Sequence, residues 1–253
     1  MILGIDIGNT TIGMCIFDEK NETIIHAKKI ASITPADEFE SSIIGVLTEI
    51  NAKAEDIGRV VISCVVREIF DAMITAAHNI FHAEPLVVSG RINTGLNFDI
   101  ENLQTLGADR IADAAYCAEH YALPAVIVDM GTATTISVVD AEKNFLGGII
   151  TTGIMTGYNA LIGMTSQLPK VTVETSTPLI GKNTVQCIES GVVHCNAAMI
   201  DGMVDRITKE LGVQPNLILT GGNALYVKPY ITHSYEYDEN LLQKGLLHLA
   251  KIN

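Results

Sequence analysis

The amino-acid sequence predicts an α/β protein of two lobes related by internal duplication, each lobe a mixed sheet flanked by helices. Three observations lead to that prediction. The apolar run Ile2-Leu3-Gly4-Ile5 feeds Asp6-Ile7-Gly8-Asn9-Thr10-Thr11 and then Gly13-Met14-Cys15-Ile16-Phe17, which reads as a β-hairpin closed by an acidic, hydroxyl-rich turn. The same arrangement recurs about half the chain later, where Ala125-Val126-Ile127-Val128 feeds Asp129-Met130-Gly131-Thr132-Ala133-Thr134-Thr135 and Ile136-Ser137-Val138-Val139. After each hairpin, strands alternate with helical patterns. Turns of this kind offer backbone N–H groups and hydroxyls to an anion, so one turn per lobe implies a clamp around a nucleotide.

In chain order, a third strand is predicted over 23–30. A helix follows over 35–51, with Phe39, Ile43, Ile44, Val46, Leu47 and Ile50 on a wide apolar face. Residues 59–66 are too continuously apolar for a one-sided strand and belong in a sheet covered on both faces. A helix over 67–81 and a strand over 85–88 come next, then a helix opened by Leu106-Gly107-Ala108-Asp109-Arg110 and running to residue 120. The second half repeats the pattern: hairpin 125–140, strand 145–150, helix 155–166, an irregular excursion over 172–181 and a long helix over 183–211. Residues 215–223 read as a strand ending in the turn Thr220-Gly221-Gly222-Asn223, where backbone can approach a flat ligand. An amphipathic helix over 238–251 closes the chain. The predicted lobes are 1–122 and 123–253.

A chain of 253 residues that is 48% hydrophobic can bury one large core or two smaller ones, and the duplication favours two. The formal net charge of −13 argues against a nucleic-acid or anionic-membrane partner. Five cysteines without a CxxC pair suggest reduced thiols in a cytoplasmic protein, with neither a disulfide framework nor a zinc site. No targeting segment is expected, because Met1 to Ile5 is followed at once by Asp6. The uncharged run 146–164 is about as long as a membrane span, yet its five glycines, Asn159 and threonines suit strand, turn and buried helix better.

A carboxylate in the first turn of a helix is electrostatically favourable, which alone could explain Asp109. Its place just before the second acidic hairpin suggests more. Phosphoryl transfer to an alcohol needs a base that orients the hydroxyl and accepts its proton. Asp109 is the candidate base and Arg110 a candidate anion-binding group. His78 and His82 stand one helical turn apart but lack a third ligand nearby, and read as ordinary surface or half-buried histidines.

Taken together, Asp6 to Thr11, Gly107 to Arg110, Asp129 to Thr135, Gly147-Gly148-Ile149-Ile150, Gln167-Leu168-Pro169, Gly181-Lys182-Asn183-Thr184, Ser190-Gly191 and Thr220-Gly221-Gly222 resemble, in order and spacing, the type III pantothenate kinase family. That family lies within the acetate and sugar kinase, Hsp70 and actin superfamily. The resemblance covers nearly the whole chain, and implies two ribonuclease H-like lobes and ATP-dependent phosphorylation of pantothenate, the first step of coenzyme A synthesis. It also implies a homodimer, magnesium, and a monovalent cation, potassium or ammonium.

By the same resemblance, the ATP phosphates lie on Asp6, Ile7, Gly8, Asn9, Thr10, Thr11, Ile12 and Gly13, with Asp6 holding magnesium through water. Asp109 becomes the general base, and Gly107, Ala108, Asp109 and Arg110 line the pantothenate site. Asp129 takes the monovalent cation, Thr132 touches ATP, and Thr184 contacts pantothenate. Departures from the family pattern gather on the acceptor side: Ile100 stands where Tyr is usual, Leu103 where Pro is usual, and Thr152-Gly153 where Pro-Gly is usual. Arg67 replaces a usual Pro, and Cys195 a common Gly. Two further readings stay open at this stage: a same-fold kinase for another small alcohol, and a non-catalytic nucleotide-binding regulatory protein.

Overall fold

The order of elements follows from where β-branched runs, turn residues and helical periodicity fall along the chain. In a computed structural model describing residues 1–32 and 36–253, strands β1 (Ile2–Ile7), β2 (Thr11–Asp18) and β3 (Thr23–Ala31) form an antiparallel meander. Helix α1 (Phe39–Glu49), strand β4 (Arg59–Cys64), helix α2 (Arg67–Phe81), strand β5 (Leu86–Val87) and the two-residue strand β6 (Asn97–Phe98) follow. Helix α3 (Ala108–His120), hairpin β7 (Ala125–Met130) and β8 (Ala133–Val139), strand β9 (Asn144–Thr152), and helices α4 (Ile154–Gly163) and α5 (Thr184–Leu211) come next. Strand β10 (Asn216–Thr220), the short helix α6 (Ala224–Val227), strand β11 (Tyr235–Tyr237) and helix α7 (Leu241–Ile252) complete the chain.

These elements form two compact units, Met1–His120 with Leu241–Asn253, and Tyr121–Asn240. In the first, the strand order is β3-β2-β1-β4-β5; in the second, β9-β8-β7-β10-β11. The orders correspond strand for strand. In each unit the hairpin's first strand also pairs in parallel with the next long strand, β1 with β4 and β7 with β10. The duplication read from two acidic turns is thus a duplication of sheet topology.

Several expected elements take narrower bounds. The start of the helix expected at Pro35 lies outside the described residues. From Phe39 onward, α1 buries Phe39, Ile43, Val46 and Leu47 but leaves Ile44 50% exposed, because its apolar arc is wider than the sheet surface it covers. Helix α4 ends at Gly163, and the 85–88 strand shortens to β5. Helix α2 ends on His82, in the left-handed region at φ 52°, its N–H donating to the His78 carbonyl. His78 and His82 therefore serve the end of a helix. No described helix is long and apolar enough to cross a membrane.

Side-chain alternation gives the first sheet two faces. Leu3, Ile5, Ile12, Met14 and Ile62 pack with α1 and α2 residues on one face. Ile2, Cys15, Phe17 and Val61 pack on the other against Ile111, Ala112 and Ala115 of α3 and Leu246 and Leu249 of α7. Helix α7 lies close against α3, since a Cβ on Gly245 would strike the Ala112 carbonyl. In the second unit, Val126, Val128, Ile136 and Leu219 of the sheet pack against Ile154 of α4 and Val193, Ile200 and Val204 of α5.

Candidate active site

The carboxylate of Asp6 leaves β1 on the face that α3 and α7 cover, the face shared with Ile2, Cys15 and Phe17. Its cross-strand neighbours are Gly13 on β2 and Ser63 on β4. The Ser63 hydroxyl donates to Asp6 Oδ1 at 2.9 Å, and a Cβ at Gly13 would meet nothing within 4 Å. Bare backbone and open space thus lie directly beside the Asp6 carboxylate. The turn that follows, Gly8-Asn9-Thr10, is stapled by the residue just past β3: Ser32 N–H donates to the Thr10 carbonyl at 3.0 Å and Ser32 Oγ to the Gly8 carbonyl at 2.6 Å. Gly8 N–H closes the turn onto the Thr11 carbonyl at 3.0 Å. Asn9, Thr10 and Thr11 are exposed there, whereas Ile7 and Ile12 point into the core on the opposite face.

Helix α3 starts on that covered face and carries Asp109 in its first turn. Asp109 Oδ1 accepts from the Arg110 backbone N–H at 2.8 Å. Its carboxylate occupies the space that a Cβ on residue 107 would need, so any larger residue at 107 would displace the Asp109 carboxylate from this position. Burial pushes the Asp109 carboxyl above the usual carboxylate value, against the Arg110 amide and guanidinium, which favour the ion. Burial likewise lowers the Arg110 guanidinium, with Asp109 opposing. A half-buried acid at a helix N-terminus, held basic enough to take a proton, suits a general base.

A cavity of about 500 Å³ opens beside this helix start, lined by Cys64, Val88, Leu103, Leu106 and Ala108 with the loop Ser89-Gly90-Arg91. Ile100, expected at the acceptor, is half-buried and is not among its lining residues. Leu103 is among them.

In the second unit, Asp129 is the penultimate residue of β7, on the face opposite Val126, Val128 and Met130. Its cross-strand neighbours are Thr135 on β8 and Thr220 on β10. The turn Gly131-Thr132 is gripped from two sides. Asn223 donates from its backbone to the Met130 carbonyl at 3.0 Å and from Nδ2 to the Gly131 carbonyl at 2.9 Å. Gly153 N–H and Thr156 Oγ1 both donate to the Thr132 carbonyl, at 3.2 and 2.7 Å. Gly221, at φ 85°, lies so close that a Cβ would strike Asp129 Oδ1. The Gly-Gly turn and the Thr152-Gly153 departure therefore both bear on the second acidic turn. Thr132 itself is exposed.

Thr184 opens α5, whose N-cap Asn183 accepts from Gln186 N–H at 3.0 Å. It is exposed and lines a cavity of about 560 Å³ with Tyr158, Leu161, Leu168, Ile188 and Val192.

Sequence reading missed Ser63, Ser32 and Asn223. Ser63 was signalled as a polar residue inside the apolar run 59–66, and Asn223 as the residue after the Gly-Gly turn. Ser32 carries no local signal, because only the β2–β3 register brings it to the first turn.

Two sheets of matching strand order, each opened by an acidic hairpin turn, define the actin-like ATPase and sugar-kinase class of folds. Residues 2–206 match the family model described as type III pantothenate kinase. The chain belongs to the type III pantothenate kinase family. A type III pantothenate kinase from Syntrophus aciditrophicus (strain SB) is 33% identical over 255 residues, covering 100% of both chains. One from Exiguobacterium sp. is 34% identical over 248 residues, covering 97% of this chain and 96% of its own. Among solved structures, a conserved protein of Campylobacter jejuni assigned to the Baf family of transcriptional activators has a TM-score of 0.62 at 20% identity, over 99% of this chain and 98% of that one. The activator of 2-hydroxyisocaproyl-CoA dehydratase from Clostridium difficile, with bound ADPNP, has a TM-score of 0.56 at 16% identity, over 98% and 92%. At such identities these two likenesses concern the fold alone.

Proposed function

We propose that this chain transfers the γ-phosphoryl group of ATP to the primary alcohol of pantothenate, forming 4'-phosphopantothenate in the first step of coenzyme A biosynthesis. The observation that carries this reading is the placement of Asp109, a half-buried acid at a helix start on the same sheet face as Asp6, in a chain of this family. Asp109 orients the acceptor hydroxyl and takes its proton as the new O–P bond forms and the bond from Pγ to the ADP oxygen breaks. Arg110 faces the charge that builds on the transferring group. The exposed turn Asn9-Thr10-Thr11 and the open space over Gly13 suit the phosphates of ATP, and Thr132, exposed on its own turn, is a further candidate contact of the nucleotide.

Asp6, fixed by Ser63, is the residue to hold magnesium through water, and the open space beside its carboxylate fits a hydrated ion. Magnesium, when bound, neutralises charge on the β- and γ-phosphate oxygens. Asp129, flanked by Thr135 and Thr220, presents an all-oxygen donor set suited to potassium or ammonium. Thr184 belongs to the pantothenate site, as do Gly107 and Ala108. The protein works as a homodimer in the cytoplasm. Exposed Ile150, Leu161, Met164, Leu179 and Ile180 in the second unit support the dimer, and five free cysteines support the compartment.

A coupled ADP-release assay with magnesium, ATP and potassium tests the reading, with ADP release dependent on pantothenate as the expected result. ATP binding without such release would overturn it. Full-length identity to relatives named type III pantothenate kinase favours this function over a kinase for another alcohol or a non-catalytic nucleotide-binding protein. Sedimentation at assay concentration tests the dimer.

A further inference from the structure

Strand β4 carries Val61 and Ser63 in line on the face that α3 and α7 cover. Val61 packs there as an apolar side chain does in a covered sheet. Ser63 stands one step further along, 0% exposed, within a run from Val60 to Val66 that is otherwise apolar. A hydroxyl buried so completely requires a partner, and this one donates to Asp6 Oδ1 at 2.9 Å across the parallel pair of β1 and β4.

The duplicated sheet repeats this placement. Thr220 on β10 stands in register with Asp129 as Ser63 on β4 stands with Asp6, and it too is buried. Packing alone gives no reason for a hydroxyl at either position, since Val61 and Ile218 fill the positions two residues before them. On their other side the two acids differ: β8 sets Thr135 beside Asp129, whereas β2 sets only Gly13 beside Asp6. Asp6 is therefore held from β4 and has open space toward β2, where a Cβ on Gly13 would meet nothing within 4 Å.

We infer that Ser63 is a positioning residue for the magnesium-nucleotide, its hydroxyl fixing the rotation of the Asp6 carboxylate beside the open space over Gly13. The inference rests on the proposed kinase activity, with Asp6 as the acid that meets the hydrated ion, and adds what holds that acid still. A carboxylate that meets a metal through water makes no direct bond to it, so its contribution depends on being oriented beforehand. Loss of an outer partner of this kind costs about 10–100-fold in metal affinity, and the lower end applies here because Asp6 acts through water.

The test measures binding of manganese-ADP by electron paramagnetic resonance, with manganese standing in for magnesium, in the wild type, S63A, S63T, D6A and the double variant S63A/D6A. S63A should bind about tenfold more weakly, and S63T, which keeps the donor and matches the residue of the equivalent position in the second unit, should recover most of that loss. In the D6A background S63A should add less than about twofold, because Ser63 acts through that acid. In turnover, the magnesium concentration for half-maximal rate should rise about tenfold in S63A while the KM for pantothenate moves less than about twofold. An unchanged thermal transition of metal-free S63A certifies the fold. Wild-type affinity in S63A, or an equal loss from S63A with and without Asp6, would overturn the inference. Equal binding by wild type and D6A would overturn the assignment of Asp6 to the metal, and this inference with it. Absence of pantothenate-dependent ADP release would instead overturn the kinase reading, while the binding cycle still decides the link from Ser63 to Asp6.

Discussion

Burying a carboxylate opposes its ionisation, while the amides at a helix start favour it, and Asp109 is held between the two effects. Burial is the larger, so the carboxyl titrates above its ordinary 3.8. The ionised form is the base, so the acid limb of kcat/KM should lie above the range of an exposed aspartate. In Arg110→Met, loss of a cation that favours the ion should move that limb to higher pH, and a shift to lower pH would contradict the arrangement. The same raised value has a consequence for stability. Burial of the protonated acid favours the fold at low pH, and that contribution is lost as pH rises through the folded-state value. Asp109→Asn should therefore gain stability relative to wild type at neutral pH, with the gap closing toward pH 4, as read by urea denaturation across pH. The same variant should lose on the order of 10²–10⁴-fold in kcat while binding ATP nearly as before, measured by calorimetry.

At the scale of elements, the two acidic turns are built alike but supported differently. The first is stapled by one residue, Ser32, just past the end of β3. The second is clamped by Gly153, Thr156 and Asn223 from two segments, with Gly221 against the acid itself. Gly221→Ala places a Cβ both in the left-handed region and on Asp129 Oδ1. It should cost about 1–3 kcal/mol of stability and abolish the response of turnover to potassium. Asp129→Ala should abolish the same response at much smaller cost in stability. Measuring potassium activation beside chemical denaturation for both variants separates the cation site from the integrity of the turn.

At the scale of the whole molecule, the chain's last helix completes the core begun by its first strand. Leu246, Leu249 and Ala250 are 1% exposed or less and pack with Ile2, Phe17 and Ile111. Burial of each of the two leucines contributes about 1.5–3 kcal/mol. Because Gly245 touches the Ala112 backbone, Gly245→Val should push α7 off α3 and destabilise the first unit by about 1–3 kcal/mol. Hydrogen exchange should then quicken across 108–120 and 241–252 while α5 keeps its protection; uniform loss across both units would refute that placement.

What the sequence alone determined is local. Hairpins are set by β-branched runs meeting Gly, Asn and Thr at turns, long helices by apolar periodicity, and both acidic turns were legible because their residue types are needed within a few positions of one another. The Asp109 helix start was legible for the same reason. The tertiary structure alone decided which distant groups meet: Ser63 with Asp6, Asn223 with Gly131, Leu103 with Gly90, α7 with α3. Strands β6 and β11, of two and three residues, are too short to carry a period. Ile44 looked like core and is exposed because burial depends on how much sheet lies opposite a helix, a quantity absent from the helix's own sequence.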